Sequence, residues 1–367
     1  MLNKLKTATV TWISYNNFGS YLQAYALQKV LLALGVENSI IDDARIVEGH
    51  KASVYEKLYV KIYRIVCIAL RKHKEQLIAL NRFLKFKERL LIVDNTWNTF
   101  SDLNIKYDFF IAGSDQIWYP DSQVFNPYYY LDFTDKVKIS YAASIGTSRY
   151  PDSYKQKVSD LLRNYKAISI REKIGVGLLQ TFISNNIENV LDPTLLLDRT
   201  DWDKVASKII VCSKKYAICY LLTYNEAYLD FIRKDCTLKG MNLVIMSDFD
   251  IYRKYADIVL PAGPCEFISA IKSADFIYTD SYHCTIFSII YQKNFLTFKR
   301  FSDNSERNQN SRLVDLFNLT GIRRRFISEE NLLLPLELEV IDYQKVNENI
   351  DKARKHSVNY LINSLTL

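Results

Sequence analysis

Residues 9–42, TVTWISYNNFGSYLQAYALQKVLLALGVENSIID, read as strand, helix and strand in close succession. Thr9 to Ser14 is rich in β-branched and aromatic residues, as strands are. Ser20 to Leu34 has helical periodicity, with Ala24, Leu27, Leu31 and Leu34 on one face. Gly35 ends that helix, and Asn38 to Asp42 forms the second strand. A strand, a crossover helix and a second strand imply a parallel sheet.

The alternation continues along the chain. Strands are expected at Tyr107–Ala112, Val137–Ala143, Ala167–Ile170 and Asn189–Leu191, with helices at Ser153–Asn164 and Ile174–Ile183. Asp192-Pro193 breaks the pattern. A second series has strands at Tyr216–Leu222, Asn242–Met246, Ile258–Val259, Asp275–Thr279 and Phe295–Phe298. Its helices are Glu226–Cys236, Cys265–Ser273 and Thr285–Tyr291. The expected fold is α/β: two doubly wound, Rossmann-like domains, 1–200 and 201–342, facing each other across a cleft. A helix at 343–367 follows, of a kind that often crosses back to the first domain. Ligands of such sheets sit at the carboxyl ends of the strands.

At 367 residues the chain is long enough for about two domains. With 49% apolar and 24% charged residues a disordered chain is excluded, and 10 glycines exclude a collagen-like one. The net charge of +7 is concentrated in a helical insertion at 51–94, where eleven lysines and arginines face four acids. This segment has two readings: a contact with anionic lipid head groups, or a solvated helix face over a core. Six cysteines without a C-x-x-C pair and four histidines give no metal-ligand pattern. No apolar run of signal-peptide length opens the chain. A cytoplasmic, reducing setting is expected, at most at the inner face of a membrane, with no nucleic-acid partner. P-loop, G-x-G-x-x-G, H-E-x-x-H and G-x-S-x-G signatures are absent. Asp248-Phe249-Asp250 matches a D-x-D metal motif, but three-residue matches are common by chance.

Four loops at strand ends carry the chemistry. Asn16 to Ser20 precede a helix, where backbone N–H groups attract anions. Gly113-Ser114-Asp115-Gln116 offers an acid placed as a general base or as a cap. Arg171 can grip an anion in a fork, or pair with Glu172 or Asp192. Asp280-Ser281-Tyr282-His283 holds a histidine, the residue suited to proton transfer near neutral pH.

These residues resemble the polysaccharide pyruvyl transferase family. The matching stretches are Asn17 to Gln28, Gly113 to Trp118, Tyr141 to Gly146, Ser169 to Lys173, Asp192 to Thr194, Thr279 to Ser288 and Asn310 to Leu313, in family order. The resemblance implies a GT-B-like fold and transfer of pyruvate from phosphoenolpyruvate onto two sugar hydroxyls, with no cofactor. The sugar belongs to a cell-surface polysaccharide or its lipid-linked precursor. It implies His283 as proton donor and Asp115 as acceptor of a hydroxyl proton. Arg171, Asn17, Gly19, Ser114, Ser281, Arg312 and Lys299 are then the substrate-binding candidates. Ser281 stands where better-known members carry an arginine, so Lys299, Arg300 or Arg312 would have to replace that cation. Cys284 stands where a glycine is usual. Two other readings stay open: a GT-B glycosyltransferase using a nucleotide sugar, and a non-catalytic sugar-binding relative.

Overall fold

A computed structural model describes residues 5–47, 74–121, 125–246, 250–302, 305, 308–335 and 337–366. Residues 51–73 of the basic insertion, and Asp248 and Phe249 of the D-x-D match, lie outside the described residues.

Two parallel sheets form the frame. The first holds β1 (Lys6–Val10), β2 (Glu37–Ile41), β3 (Val93–Asp94), β4 (Phe109–Ala112), β5 (Val137–Ser140), β6 (Tyr165–Ile170) and β7 (Ile187–Asn189). Their order is β3-β2-β1-β4-β5-β6-β7. The second holds β8 (Tyr216–Tyr220), β9 (Asn242–Ile245), β10 (Ile258–Val259), β11 (Phe276–Thr279), β12 (Asn294–Phe298) and β13 (Phe326–Ile327), ordered β10-β9-β8-β11-β12-β13. Strand order reverses between β1 and β4 in one sheet and between β8 and β11 in the other. These switch points leave a crevice beyond the strand ends in each sheet.

Element ends differ from the sequence expectation where side chains cap or divert the backbone. β1 stops at Val10 because the chain then leaves the sheet: the Thr11 hydroxyl donates to the Ser114 carbonyl at 2.9 Å. The first helix runs Phe18–Ala33, two residues earlier than expected, because the Asn17 side chain accepts from the Ser20 N–H at 3.2 Å. The helix after β11 begins at Tyr282, capped by the Ser281 hydroxyl on Cys284 N–H. His283 is therefore in a helix's first turn, where a loop was expected. β3, β13 and the helix Arg199–Val205 carry too few periodic residues to be legible.

The helix Phe18–Ala33 is buried almost all round. One side packs on the first sheet; the other meets the helices Pro264–Ser273 and Tyr282–Ile290 of the second. Phe18 stacks on Phe83 at 5.3 Å and Phe267 at 4.6 Å between ring centroids. One hydrophobic core thus joins both sheets. The described end of the basic insertion, helix Lys74–Leu90, buries Ala79, Phe83 and Phe86 in that core. It is fastened to the second sheet's side by Arg82, which donates to the Pro261 carbonyl at 2.6 Å. Among the described residues no helix is long and apolar enough to cross a membrane.

The last helix, Tyr343–Leu365, runs back over the first sheet. The Tyr360 hydroxyl donates to the Ser140 carbonyl at 2.9 Å, and Leu191 N–H donates to Ser357 Oγ at 2.9 Å. Leu361 is fully buried in the shared core. Leu361→Ala should therefore destabilise the protein by about 2–5 kcal/mol. Urea unfolding would check this, and a loss under about 1 kcal/mol would mean the helix only rests on the surface.

Candidate functional site

The loops beyond the switch-point strands converge. β1 leads to Asn17, Gly19 and Ser20; β4 to Gly113–Gln116; β8 to Leu222 and Thr223; β11 to Asp280–His283. From these loops Asn17, Ser20, Asp115, Leu222 and Asp280–His283, together with Arg300, Gln309 and Arg312, line a cavity of about 390 Å³. Asn17, Asp115, Ser281, His283, Arg300 and Arg312 all face it.

His283 sits against Gly19. A Cβ added at Gly19 would lie 1.9 Å from His283 Nδ1, so the imidazole fills the space a side chain would need. The other ring nitrogen, Nε2, is 3.4 Å from Oδ2 of Asp192. That oxygen also accepts from Arg171 Nη1 at 2.7 Å, while Oδ1 accepts from the Thr194 N–H and hydroxyl at 3.0 and 2.6 Å. Burial raises the Asp192 pKa, but His283, Arg171 and Thr194 outweigh it, and the carboxyl is held well below the usual carboxylate range. A buried carboxylate beside an imidazole constrains the ring's orientation.

Arg171 is fully buried. Besides Asp192 it lies 3.6 Å from Asp115 Oδ1 and 3.8 Å from Glu172 Oε1. The carboxylates overcome burial and raise its pKa. Its guanidinium lies 5.0 Å from the Tyr282 ring centroid, and Arg312 lies 5.5 Å from the same centroid. Arg171 does not line the His283 cavity. It lines a second one of about 370 Å³, to which Tyr282 and Arg312 also contribute. The ion pair with Asp192, one of the two readings for Arg171, is therefore present.

Asp115 takes a left-handed conformation, φ 76°, which costs a non-glycine residue about 1–2 kcal/mol. Its Oδ1 accepts from Gln116 N–H at 2.8 Å, and its Oδ2 from the Ser20 hydroxyl at 2.5 Å. Gly113 makes the preceding turn possible: φ is +124°, and a Cβ there would meet the Tyr141 carbonyl oxygen at 2.2 Å.

The remaining candidates divide. Ser114 is fully buried, its hydroxyl donating to the Ala142 carbonyl at 2.8 Å and its N–H to Gln23 at 3.2 Å; it braces the turn and does not reach the cavity. Lys299 lies with its ammonium 5.9 Å from the Phe326 ring centroid, away from the cavity. Arg300 and Arg312 do reach it. Arg312 donates to Gln309 Oε1 at 3.2 Å, and its Nε has no hydrogen-bond partner among the described residues. Burial, then Arg171, pushes its pKa down to about 10, which still leaves it a cation at neutral pH. Asp280, which accepts from Leu222 and Thr223 N–H at 2.7 and 3.1 Å, is pushed up to about 6, chiefly by burial.

Asp192 lies in one of the family-like stretches, but the sequence does not pair it with His283. Nothing in spacing links the two, because they close on each other through different sheets. The signal that existed was local: an acid directly after a strand, capping the turn Pro193–Leu195.

No curated protein matches the chain. The family model for polysaccharide pyruvyl transferase matches residues 17–300. Among solved structures the chain is similar to UDP-GlcNAc 2-epimerase from Neisseria meningitidis bound to UDP-GlcNAc. The identity is 11% and the TM-score 0.50, with 98% of this chain and 100% of that one covered. An S. aureus MnaA–UDP co-structure shows 12% identity, TM-score 0.49 and coverages of 97% and 91%. E. coli heptosyltransferase WaaC with ADP-2-deoxy-2-fluoro heptose shows 11% identity, TM-score 0.42 and coverages of 95% and 99%. The fold is GT-B-like.

Two outcomes follow from the geometry. Gly19→Ala gains up to about 1 kcal/mol of helix propensity yet displaces the imidazole. Activity should fall at least tenfold and the melting temperature should fall with it, because over-packing a buried imidazole costs about 1–3 kcal/mol, more than the propensity gains; thermal denaturation and turnover measured together would show both. Asp280 has a folded pKa of about 6 against about 3.9 unfolded. The folded state then holds the proton more tightly, so this group's contribution falls as pH rises from about 4 to 6. The stability of Asp280→Asn relative to the parent should therefore climb over that window by up to about 3 kcal/mol, read by denaturant titrations at each pH. A flat difference would contradict the burial of that carboxyl.

Proposed function

The chain belongs to the polysaccharide pyruvyl transferase family, and from that premise we propose that it transfers the pyruvyl group of phosphoenolpyruvate to two hydroxyls of a saccharide. The products are a cyclic ketal and phosphate. The observation that supports this most is His283 backed by the buried Asp192 carboxylate in a cavity walled by Arg312 and Arg300.

The chemistry follows from those positions. Protonated His283 donates to the methylene carbon of the enol, which becomes a methyl group and leaves an oxocarbenium-like centre at C2. Asp192 stabilises the imidazolium before transfer and keeps its ring in place. A sugar hydroxyl attacks C2, and Asp115 takes its proton. Phosphate then leaves with the C2–O bond electrons, and the second hydroxyl closes the ketal. Of the two hydroxyl protons, one replaces the proton placed on carbon and the other leaves with phosphate. Arg312 and Arg300 hold the carboxylate and phosphate of the donor. They take the place of the cation missing at Ser281, a role Lys299 is too far from the cavity to share. A compact polar cavity with two guanidiniums suits a small anion better than a nucleotide sugar.

His283→Ala should slow turnover by about 10²–10⁴-fold with little change in donor binding. Arg312→Ala should weaken donor binding, and Arg312→Lys should restore it incompletely because lysine lacks the fork. Phosphate release from phosphoenolpyruvate with a galactose- or mannose-type acceptor measures turnover. A thermal shift with phosphoenolpyruvate but not with nucleotide sugars measures donor choice, and the reverse pattern would assign a glycosyltransferase.

A further inference from the structure

A groove of about 270 Å³ runs away from the catalytic cavity and shares Asn17 and Leu222 with it. One wall is the helix Lys74–Leu90, which contributes Gln76, Ala79, Leu80 and Phe83. The opposite wall comes from the second sheet, with Tyr220, Met246, Leu260 and Ala262. The two walls are held at a fixed spacing. Arg82 donates to the Pro261 carbonyl at 2.6 Å and lies 3.7 Å from Glu266, and Arg253 pairs with Glu75. Gly263 lets the helix come this close: a Cβ there would lie 2.4 Å from Arg82 Cβ. The groove is therefore preformed and needs no closure to exist.

We infer that this groove is the acceptor subsite for the sugar residue adjoining the one that receives the pyruvyl group. This rests on the function proposed above. Its chemistry fits a pyranose. The half-buried Tyr220, Leu80 and Leu260, over a floor of the buried Phe18, Phe83 and Met246, offer apolar surface to the C–H face of a sugar. Asn16, Asn17 and Gln76 supply amides to its hydroxyls. The volume is on the order of one sugar ring. Continuity with the cavity through Asn17 and Leu222 puts the neighbouring residue's hydroxyls near Asp115 and His283. The helix Lys74–Leu90 is thus the element that selects the acceptor, while the strand-end loops select the donor.

Leu80→Trp fills the groove from a half-buried position, and Gln76→Ala removes an amide from its edge. With a galactosyl disaccharide glycoside as acceptor, Leu80→Trp should raise KM at least tenfold and Gln76→Ala about threefold. With the corresponding monosaccharide glycoside, KM and kcat should stay within about twofold for both variants. An unchanged disaccharide KM in a folded Leu80→Trp protein, or an equal rise with both acceptors, would overturn the subsite. A direct readout separates this from the transfer chemistry. Broadening of the disaccharide's proton NMR signals by the parent protein should be lost in Leu80→Trp. That loss supports the groove even if phosphoenolpyruvate is not turned over. Disaccharide signals that stay sharp with the parent, or broaden equally with Leu80→Trp, would overturn it.

Discussion

One buried carboxylate ties the molecule's working parts together. Asp192 leaves the end of β7, receives Arg171 from the end of β6 and faces His283 from the helix after β11. Two of these elements belong to the first sheet and one to the second. An isolated buried charge costs several kcal/mol, and removing one partner of such a cluster leaves that cost uncompensated. Asp192 and His283 Nε2 stand 3.4 Å apart only while the strand ends of both sheets keep this separation. The contact beside the imidazole is therefore tied to the width of the cleft.

That constraint works because the two halves share a core. Phe18, Phe83 and Phe267 stack across the junction, and Trp202 packs its ring 5.7 Å from Tyr25 and 4.8 Å from Phe287. Close-packed aromatic interiors transmit displacement rather than absorb it. The cleft is accordingly a rigid one at its base, and the returning helix Tyr343–Leu365 adds hydrogen bonds to the first sheet from the far end of the chain.

Much of this was legible in the sequence, for identifiable reasons. Strands such as Phe109–Ala112 and Phe276–Thr279 are short apolar runs bounded by turn residues, so the alternation and the four strand-end loops could be read directly. Asp115, His283, Arg312 and Asn17 meet at one cavity because parallel strands deliver their loops to one edge. What could not be read was pairing across the sheets. The Asp192–His283 contact depends on how the two halves dock, which no local periodicity encodes. The helix Phe18–Ala33 misled in the same way. Its apolar stripe of Ala24, Leu27 and Leu31 is visible, but Tyr21, Tyr25 and Gln28 are also buried, the tyrosines against Phe86 of the helix Lys74–Leu90 and Gln28 by its hydrogen bonds to Asn38 and Ile92. Gly19 stands in a turn whose sequence suggests anion binding, whereas its missing side chain makes room for the histidine. Ser114 and Lys299 belong to matching or basic stretches, yet one is spent on backbone hydrogen bonds and the other points elsewhere.

The two arginines beside Tyr282 show how charge is divided in the site. Arg171 is surrounded by Asp192, Asp115 and Glu172, so its charge is already matched and its geometry fixed. Arg312 is nearly as buried, yet its polar partner is the neutral Gln309, and burial, with Arg171 beside it, lowers its pKa. A buried cation without a matching carboxylate is costly in the empty protein. An anion arriving in the cavity relieves that cost, so binding is driven most strongly where the protein left charge unmatched. Had Asp115 or Glu172 paired with Arg312 instead, the site would be more stable when empty and weaker for an anion. The arrangement thus separates two roles: Arg171 holds Asp192, Asp115 and Glu172 in register, and Arg312 keeps a guanidinium facing the cavity without a carboxylate partner among the described residues.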